Sequence, residues 1–509
     1  MVETTALVGT AAVFLISLAL FPNLGFYTVG GMLAVLVVTA GVVAICLRRG
    51  PGRISLARRP TRALLFAPCL AAVAYQLWCA PSAADPWHTM GHAVLGFVAA
   101  VMILSAWVMY RRRTDGAGAA LIGVGCLLTG INALAPQLRF GQPDNIPAAF
   151  VNTISLAALL AGVHLTWLSF LWQPSYARHR CGWLARWGVL LALGGALRVL
   201  AVTGSPAPVI DVHTWLTAAP EFLLAGQNPY RASYPSPYGT ERAARFHIPG
   251  APEPHPASYP PGVILSGVPA GLLGCDARYT NVLADVLAGV ALLLVGWRAR
   301  RPDLGVLASA LYMCLPRVVF MVEQAWYEPQ LAACVGLLAL WLPTRPWAAG
   351  LALGGLLSLK QYALLLLPAV LGMCRRHLRV VTVGAAVAVA VTLPFLLWDA
   401  GAFWQMVVTA HWHRPVATHA LCLPALLHNE FGWRLPRWVV WPFVVVLLLA
   451  LGRRAPEAGK GPGMLWLAAS LLVFNVFIQG FANYYYLAEY LLLLGVAQSG
   501  VGGSHRQQE

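Results

Sequence analysis

The chain has 509 residues, 59% hydrophobic and only 10% charged, and its net charge of +16 comes from 34 basic and 18 acidic residues. A soluble domain carries about a quarter charged residues, so this composition excludes a soluble globular protein and places most of the chain in lipid. The basic residues fall in short clusters between apolar runs, the positive-inside pattern of membrane proteins, and not in the continuous patch that nucleic acid requires.

A membrane-crossing helix needs roughly 20 apolar residues, and such runs recur from Leu7 to Val496. The first has no basic leader and no small-residue cleavage site, so it reads as a retained helix. Helices are predicted near 5–22, 25–47, 62–80, 92–110, 117–135, 149–172 and 187–203. Arg48 and Arg49, Arg111 to Arg113, and Arg178 with Arg180 follow the second, fourth and sixth of these and assign those ends to the cytoplasm. The first six helices carry few polar residues at membrane depth and read as an N-terminal module over residues 1–180. His88 and His92 share a helical face there, but the segment lacks the Glu of an H-E-x-x-H metal motif and reads as interfacial.

The seventh helix leads into the longest polar loop, roughly 204–278, on the non-cytoplasmic side. Asp211 opens it. The following stretch, Val212 to Ala225, places Trp215, Leu216, Ala219 and Leu223 on one face, as an amphipathic interfacial helix would, with Pro220 inside it. Gly226 can end that helix, and Pro229 prevents its restart. An Asp at this place is either an N-cap or a carboxylate exposed for chemistry. Further on, Tyr259-Pro260-Pro261-Gly262 fixes an extended lead-in and a helix start. The run Val263–Leu273 after it is too short to cross.

Helices are then expected at 279–297, 304–318, 329–343, 380–398, 437–452, 464–481 and 484–497, with a short pair at 347–358 and 361–373 that reads as a broken hairpin inside protein. This gives about sixteen crossings, with both termini, including the tail 498–509, cytoplasmic. Asp285 lies within an apolar run, where an ionisable group is a functional suspect by default; a packing bond to Asn281 is the other reading. Glu323, Gln324 and Glu328 flank Trp326 and Tyr327 at an outer turn and suggest a polar sugar pocket. Lys360 sits between the two halves of the broken hairpin, away from every arginine cluster. A buried ammonium there demands an anion, such as a lipid-linked phosphate, unless it snorkels to the interface. A second outer segment, 399–436, holds His411, His413 and Arg414, whose planar fork suits phosphate. Asn483 precedes three tyrosines at the start of the last helix. Ten cysteines form no CxxC pair and support neither a zinc site nor a disulfide framework.

Asp211, Ala225-Gly226-Gln227-Asn228-Pro229-Tyr230 and Tyr259-Pro260-Pro261-Gly262 together resemble the first outer loop of GT-C-type polytopic glycosyltransferases, and most closely that of the polyprenyl-phosphate-mannose-dependent mannosyltransferases. The likeness spans roughly 187–497. It implies an all-α polytopic membrane protein, a GT-C-like helical bundle with long extracytoplasmic loops, here carrying extra N-terminal helices. It implies an integral protein of a bacterial plasma membrane with Asp211 as catalytic base. Lys360 and Arg414 would hold the donor phosphate, and Tyr230, Tyr259, Asp285, Glu323, Gln324, Glu328 and Asn483 would bind substrate. The partners implied are a polyprenyl-phosphate sugar, a glycan or glycolipid acceptor in the cell envelope, and membrane lipid. No cofactor and no divalent metal are expected. The competing class is a lipid or solute transporter or flippase, which predicts internal repeats and binding at the bilayer midplane.

Overall fold

The computed structural model describes residues 27–47, 180–238, 258–314, 316–412 and 417–499, with isolated positions before 27. The expected helices between 62 and 172 lie outside the described residues, as does most of the first. Among the described residues the regular structure is helical, with no β-strand. Its elements are α1 (Val29–Leu47), α2 (Arg180–Gly204), α3 (Asp211–Leu224), α4 (Pro261–Leu273), α5 (Tyr279–Arg298), α6 (Pro302–Cys314), α7 (Pro316–Glu323), α8 (Glu328–Trp341) and α9 (Pro346–Leu359). A 3-10 turn (Gln361–Leu366) leads into α10 (Leu367–Met373). There follow α11 (Leu378–Trp398), α12 (Ala400–Trp404), a π-helical turn (Gln405–Thr409), α13 (Leu423–Phe431), α14 (Arg437–Arg454), α15 (Met464–Phe477) and α16 (Ala482–Gln498). Helices α1, α5 and α11 are each long and apolar enough to cross a membrane. The protein is an all-α polytopic membrane protein.

The chain runs back and forth between two ends of unlike chemistry. At one end arginines close the helices onto their neighbours. Arg298 bonds Thr344 at 2.8 Å, Arg454 bonds the Leu47 carbonyl at 2.7 Å, and Arg376 pairs with Glu457 at 3.4 Å. At the other end lie Asp211, Tyr259, Glu328, Lys360 and Asn483, most of them at helix starts.

The helix expected at 304–318 is described as α6 and α7 on either side of position 315, which lies outside the described residues. One expected element differs. The helix expected at 464–481 stops at Phe477. Between α9 and α10, Lys360 is extended, with φ −153° and ψ 137°, so the broken hairpin has its break at the lysine.

Helix α3 forms where the loop reading placed it. Its buried face is Val212, Trp215, Leu216, Ala219 and Pro220, and it packs on α4. Gly226, at φ +72°, turns the chain out of the helix, with Gln227 N–H bonded to the Phe222 carbonyl at 2.9 Å, as a left-handed C-terminal cap requires.

Candidate functional site

The site grows from the starts of several elements. Pro260 caps α4 and Pro261 opens it, a position where the missing N–H costs nothing. Gly262 then lets α4 pass against the end of α9: a Cβ built there would lie 2.4 Å from the Ser358 carbonyl oxygen. That close approach sets Tyr259 beside Lys360, two residues beyond Ser358. The Lys360 ammonium lies 5.4 Å from the centre of the Tyr259 ring, 5.2 Å from that of Tyr362 and 4.9 Å from that of Tyr484. Such contacts contribute about 0.5–2 kcal/mol each when desolvated.

Lys360 is buried and ion-paired with Glu328. The snorkelling reading therefore fails, and the anion that burial demands is supplied by the chain itself. Glu328 is in the first turn of α8, where the helix N-terminus favours a negative charge. Its Oε1 also accepts from Asn483 Nδ2 at 2.9 Å and from the Tyr362 hydroxyl at 3.1 Å. Its Oε2 is buried and has no hydrogen-bond partner among the described residues. Before Glu328, the chain turns at Ala325, whose φ of +57° is rare for a residue other than glycine. Trp326 N–H bonds the Met321 carbonyl there at 3.0 Å.

Tyr259 joins this cluster to the Asp211 helix. Its ring meets Trp215 of α3 edge-on at 5.4 Å and Tyr327 at 5.0 Å. Its phenol is pushed well above the ordinary range by burial first and by the Asp211 charge second. Its backbone is clamped. Tyr230 donates to the Tyr259 carbonyl at 2.8 Å, Gln361 donates to the Ser258 carbonyl at 2.8 Å, and His411 Nε2 lies 2.6 Å from the same oxygen. Tyr230 is 1% exposed, so it acts as a brace under Tyr259.

Asp211 is the first residue of α3. Ile210 occupies the cap position with no side-chain bond, so Asp211 does not cap the helix in the usual sense. Its Oδ1 accepts from Val212 N–H at 2.8 Å and from the Tyr238 hydroxyl at 3.1 Å. His213, two residues on, is driven down to about 4 by burial and by Arg278.

The structure brings Tyr259, Glu328, Lys360 and Asn483 into one cluster, with Asp211 reached through Tyr259. It does not bring in Asp285. That carboxylate is fully buried and holds Arg198 of α2, Tyr312 of α6 and, at 2.7 Å, Tyr486 of α16. Its partner is not Asn281, which bonds the Trp326 carbonyl and Gln330 instead. Both its oxygens have protein partners, so Asp285 ties α5 to α2, α6 and α16. Glu323 is fully buried, with Arg278 bonded to its carbonyl at 3.0 Å; Gln324 is buried beside it in the turn. Arg414 lies outside the described residues. Arg198, Tyr238 and Tyr362 were not singled out from sequence. An arginine inside an apolar run was signal enough for Arg198; nothing local marked Tyr238. Among the described residues no group of three or more His, Cys, Asp or Glu could hold a metal ion.

Residues 258–489 match glycosyltransferase family 87. The match contains the Tyr259–Glu328–Lys360–Asn483 cluster and begins after Asp211. No curated protein and no solved structure matches the chain.

Proposed function

We propose that this chain, whose residues 258–489 match glycosyltransferase family 87, moves mannose from a polyprenyl phosphate to a glycolipid or glycan hydroxyl on the extracytoplasmic face of a bacterial plasma membrane. Asp211 Oδ2 takes the acceptor's hydroxyl proton as general base. The acceptor oxygen bonds to the anomeric carbon from the face opposite the phosphate. The bond from that carbon to phosphate breaks, and its electron pair leaves with polyprenyl phosphate, so configuration inverts. Lys360, assisted by Arg414, offsets charge developing on that phosphate. Glu328 Oε2, an acceptor in need of a donor, receives a sugar hydroxyl beside Asn483, and Tyr259 lines one side of the sugar site between the Asp211 helix and Lys360. The side is argued from the arginines, which gather at the far end of the bundle. In this reading 1–180 is an added module and 187–497 the catalytic core.

The observation that carries the proposal is Tyr259, in contact with the Asp211 helix on one edge and with Lys360 on the other. The test is Asp211→Asn, assayed in membranes with polyprenyl-phosphate mannose. We expect transfer to fall by about 10²–10⁴-fold, the usual effect of losing a general base, with the protein still folded. Full activity in a folded Asp211→Asn protein overturns the assignment.

A further inference from the structure

We infer that Tyr238 positions Asp211 for proton transfer, holding one carboxylate oxygen so that the other is presented to the acceptor. This deepens the reading of Asp211 as general base and rests on it.

Tyr238 and Asp211 lie 27 residues apart in the chain and meet through two bonds. The Asp211 N–H donates to the Tyr238 hydroxyl oxygen at 3.2 Å, and that hydroxyl donates to Asp211 Oδ1 at 3.1 Å. One phenol therefore grips both the backbone and the side chain of the same residue. Helix α3 lacks a side-chain cap at Ile210, and the N–H of a first helical residue has no partner within its own helix; Tyr238 supplies it. With Val212 N–H also on Oδ1 at 2.8 Å, that oxygen has two donors and the carboxylate plane is fixed. Oδ2 has no hydrogen-bond partner among the described residues. Tyr238 is itself set by a tight turn, its N–H on the Ser236 hydroxyl at 3.3 Å.

A fixed carboxylate with one free oxygen is a directed base, whereas a rotating one is not. Misplacing a reacting group by about 1 Å can cost 10²-fold in rate. A phenol that donates to a carboxylate interacts more strongly with its ionised form than with its neutral form, so the effect of deleting the hydroxyl is read in the pH dependence of kcat. The other titratable groups around Asp211 are Tyr259 and Tyr327, both pushed far above neutrality by burial first and by the Asp211 charge second. His213 faces Arg278 and Asp276.

The experiment is Tyr238→Phe in the full-length protein, with kcat, the KM for polyprenyl-phosphate mannose, and the pH dependence of kcat. We expect kcat to fall about tenfold to hundredfold, KM to stay within about twofold, as for a group acting on the transition state alone, and the acid limb of the profile to move to higher pH. Should that variant fold poorly, 3-fluorotyrosine placed at position 238 keeps the shape and makes a stronger donor, and the acid limb should then move to lower pH. An unchanged kcat and acid limb overturn the inference. So does a lowered kcat with an unmoved limb and a lowered melting temperature, which marks Tyr238 as a brace only. If Asp211→Asn keeps full activity, the base assignment itself has failed. If Asp211→Asn is inactive while Tyr238→Phe behaves as wild type, this inference alone has failed.

Discussion

Two buried clusters in this bundle use the same parts, a cation against a carboxylate with tyrosine hydroxyls around it, and differ in what is left over. In the deep one, Asp285 gives one oxygen to Arg198 and the other to Tyr312 and Tyr486. Its members come from α2, α5, α6 and α16, so the cluster ties four helices together, and both oxygens of the acid are engaged. In the other, Glu328 gives only Oε1 to Lys360, Tyr362 and Asn483 and keeps Oε2 unbonded. Its members sit at helix starts and at the break in a hairpin. A buried acceptor without a partner costs about 1–3 kcal/mol; in the deep cluster the unbonded atom is instead Arg198 Nη2, on the cation. In the proposed reading, a carboxylate with both oxygens engaged within the helices serves packing, and one with an oxygen left unbonded at the helix starts meets a sugar hydroxyl.

The sharpest way to break this contrast is at Asp285. Asp285→Ala leaves the Arg198 charge buried and uncompensated, a loss of about 3–5 kcal/mol. We expect poor yield and a large fall in melting temperature in detergent. Replacing both partners, Arg198→Leu with Asp285→Leu, should recover much of the folded protein, since paired apolar replacement of a buried ion pair is often neutral or better. A folded Asp285→Ala protein with transfer abolished would return Asp285 to the substrate and erase the distinction.

A smaller effect is expected where the two halves of the site touch. Gly262→Ala puts a Cβ 2.4 Å from the Ser358 carbonyl oxygen, and backbone cannot yield as a flexible side chain would. Helix α4 must back away from α9, at a cost of about 1–3 kcal/mol, and Tyr259 moves off Lys360. Transfer should fall further than stability. Wild-type activity in Gly262→Ala would mean that the Tyr259–Lys360 contact has no part in the reaction.

Much of this was legible in the chain. Apolar runs fixed the helices, Gly226 and Pro229 ended α3, and Lys360 marked the hairpin break, because each is a local signal of period, turn chemistry or misplaced charge. The pairings were not legible. Lys360 reads as an ammonium that needs an anion, but that the anion is Glu328, on another helix, follows only from packing. Asp285 reads as a suspect carboxylate, and its answer in Arg198 lies 87 residues away. Tyr238 carries no local signal, since one tyrosine in a polar loop looks like any other until the loop closes on Asp211. Gly262 was visible as part of a stiff turn, whereas the reason for a glycine there is the Ser358 backbone on another element.

The mildest test matches one hydroxyl against another. Tyr362→Phe and Tyr486→Phe each delete a single donor to a buried carboxylate and keep the ring. At Tyr362 the ring stays stacked on Phe474, with centroids 5.8 Å apart, and remains beside the Lys360 ammonium, while Glu328 Oε1 still has Lys360 and Asn483. At Tyr486 the loss falls on Asp285, which then relies on Arg198 and Tyr312. Removing one hydrogen bond to a charged group costs about 1.5–3 kcal/mol, so both proteins should fold. If the contrast holds, Tyr486→Phe lowers the melting temperature and leaves kcat/KM for the donor within about twofold. Tyr362→Phe should do the reverse: a carboxylate that has lost one of its three protein donors is less firmly placed to receive a sugar hydroxyl, so kcat/KM falls while the melting temperature moves little. Equal losses of stability and of transfer in the two variants would mean that both clusters are packing, and that Glu328 Oε2 is an ordinary unsatisfied atom.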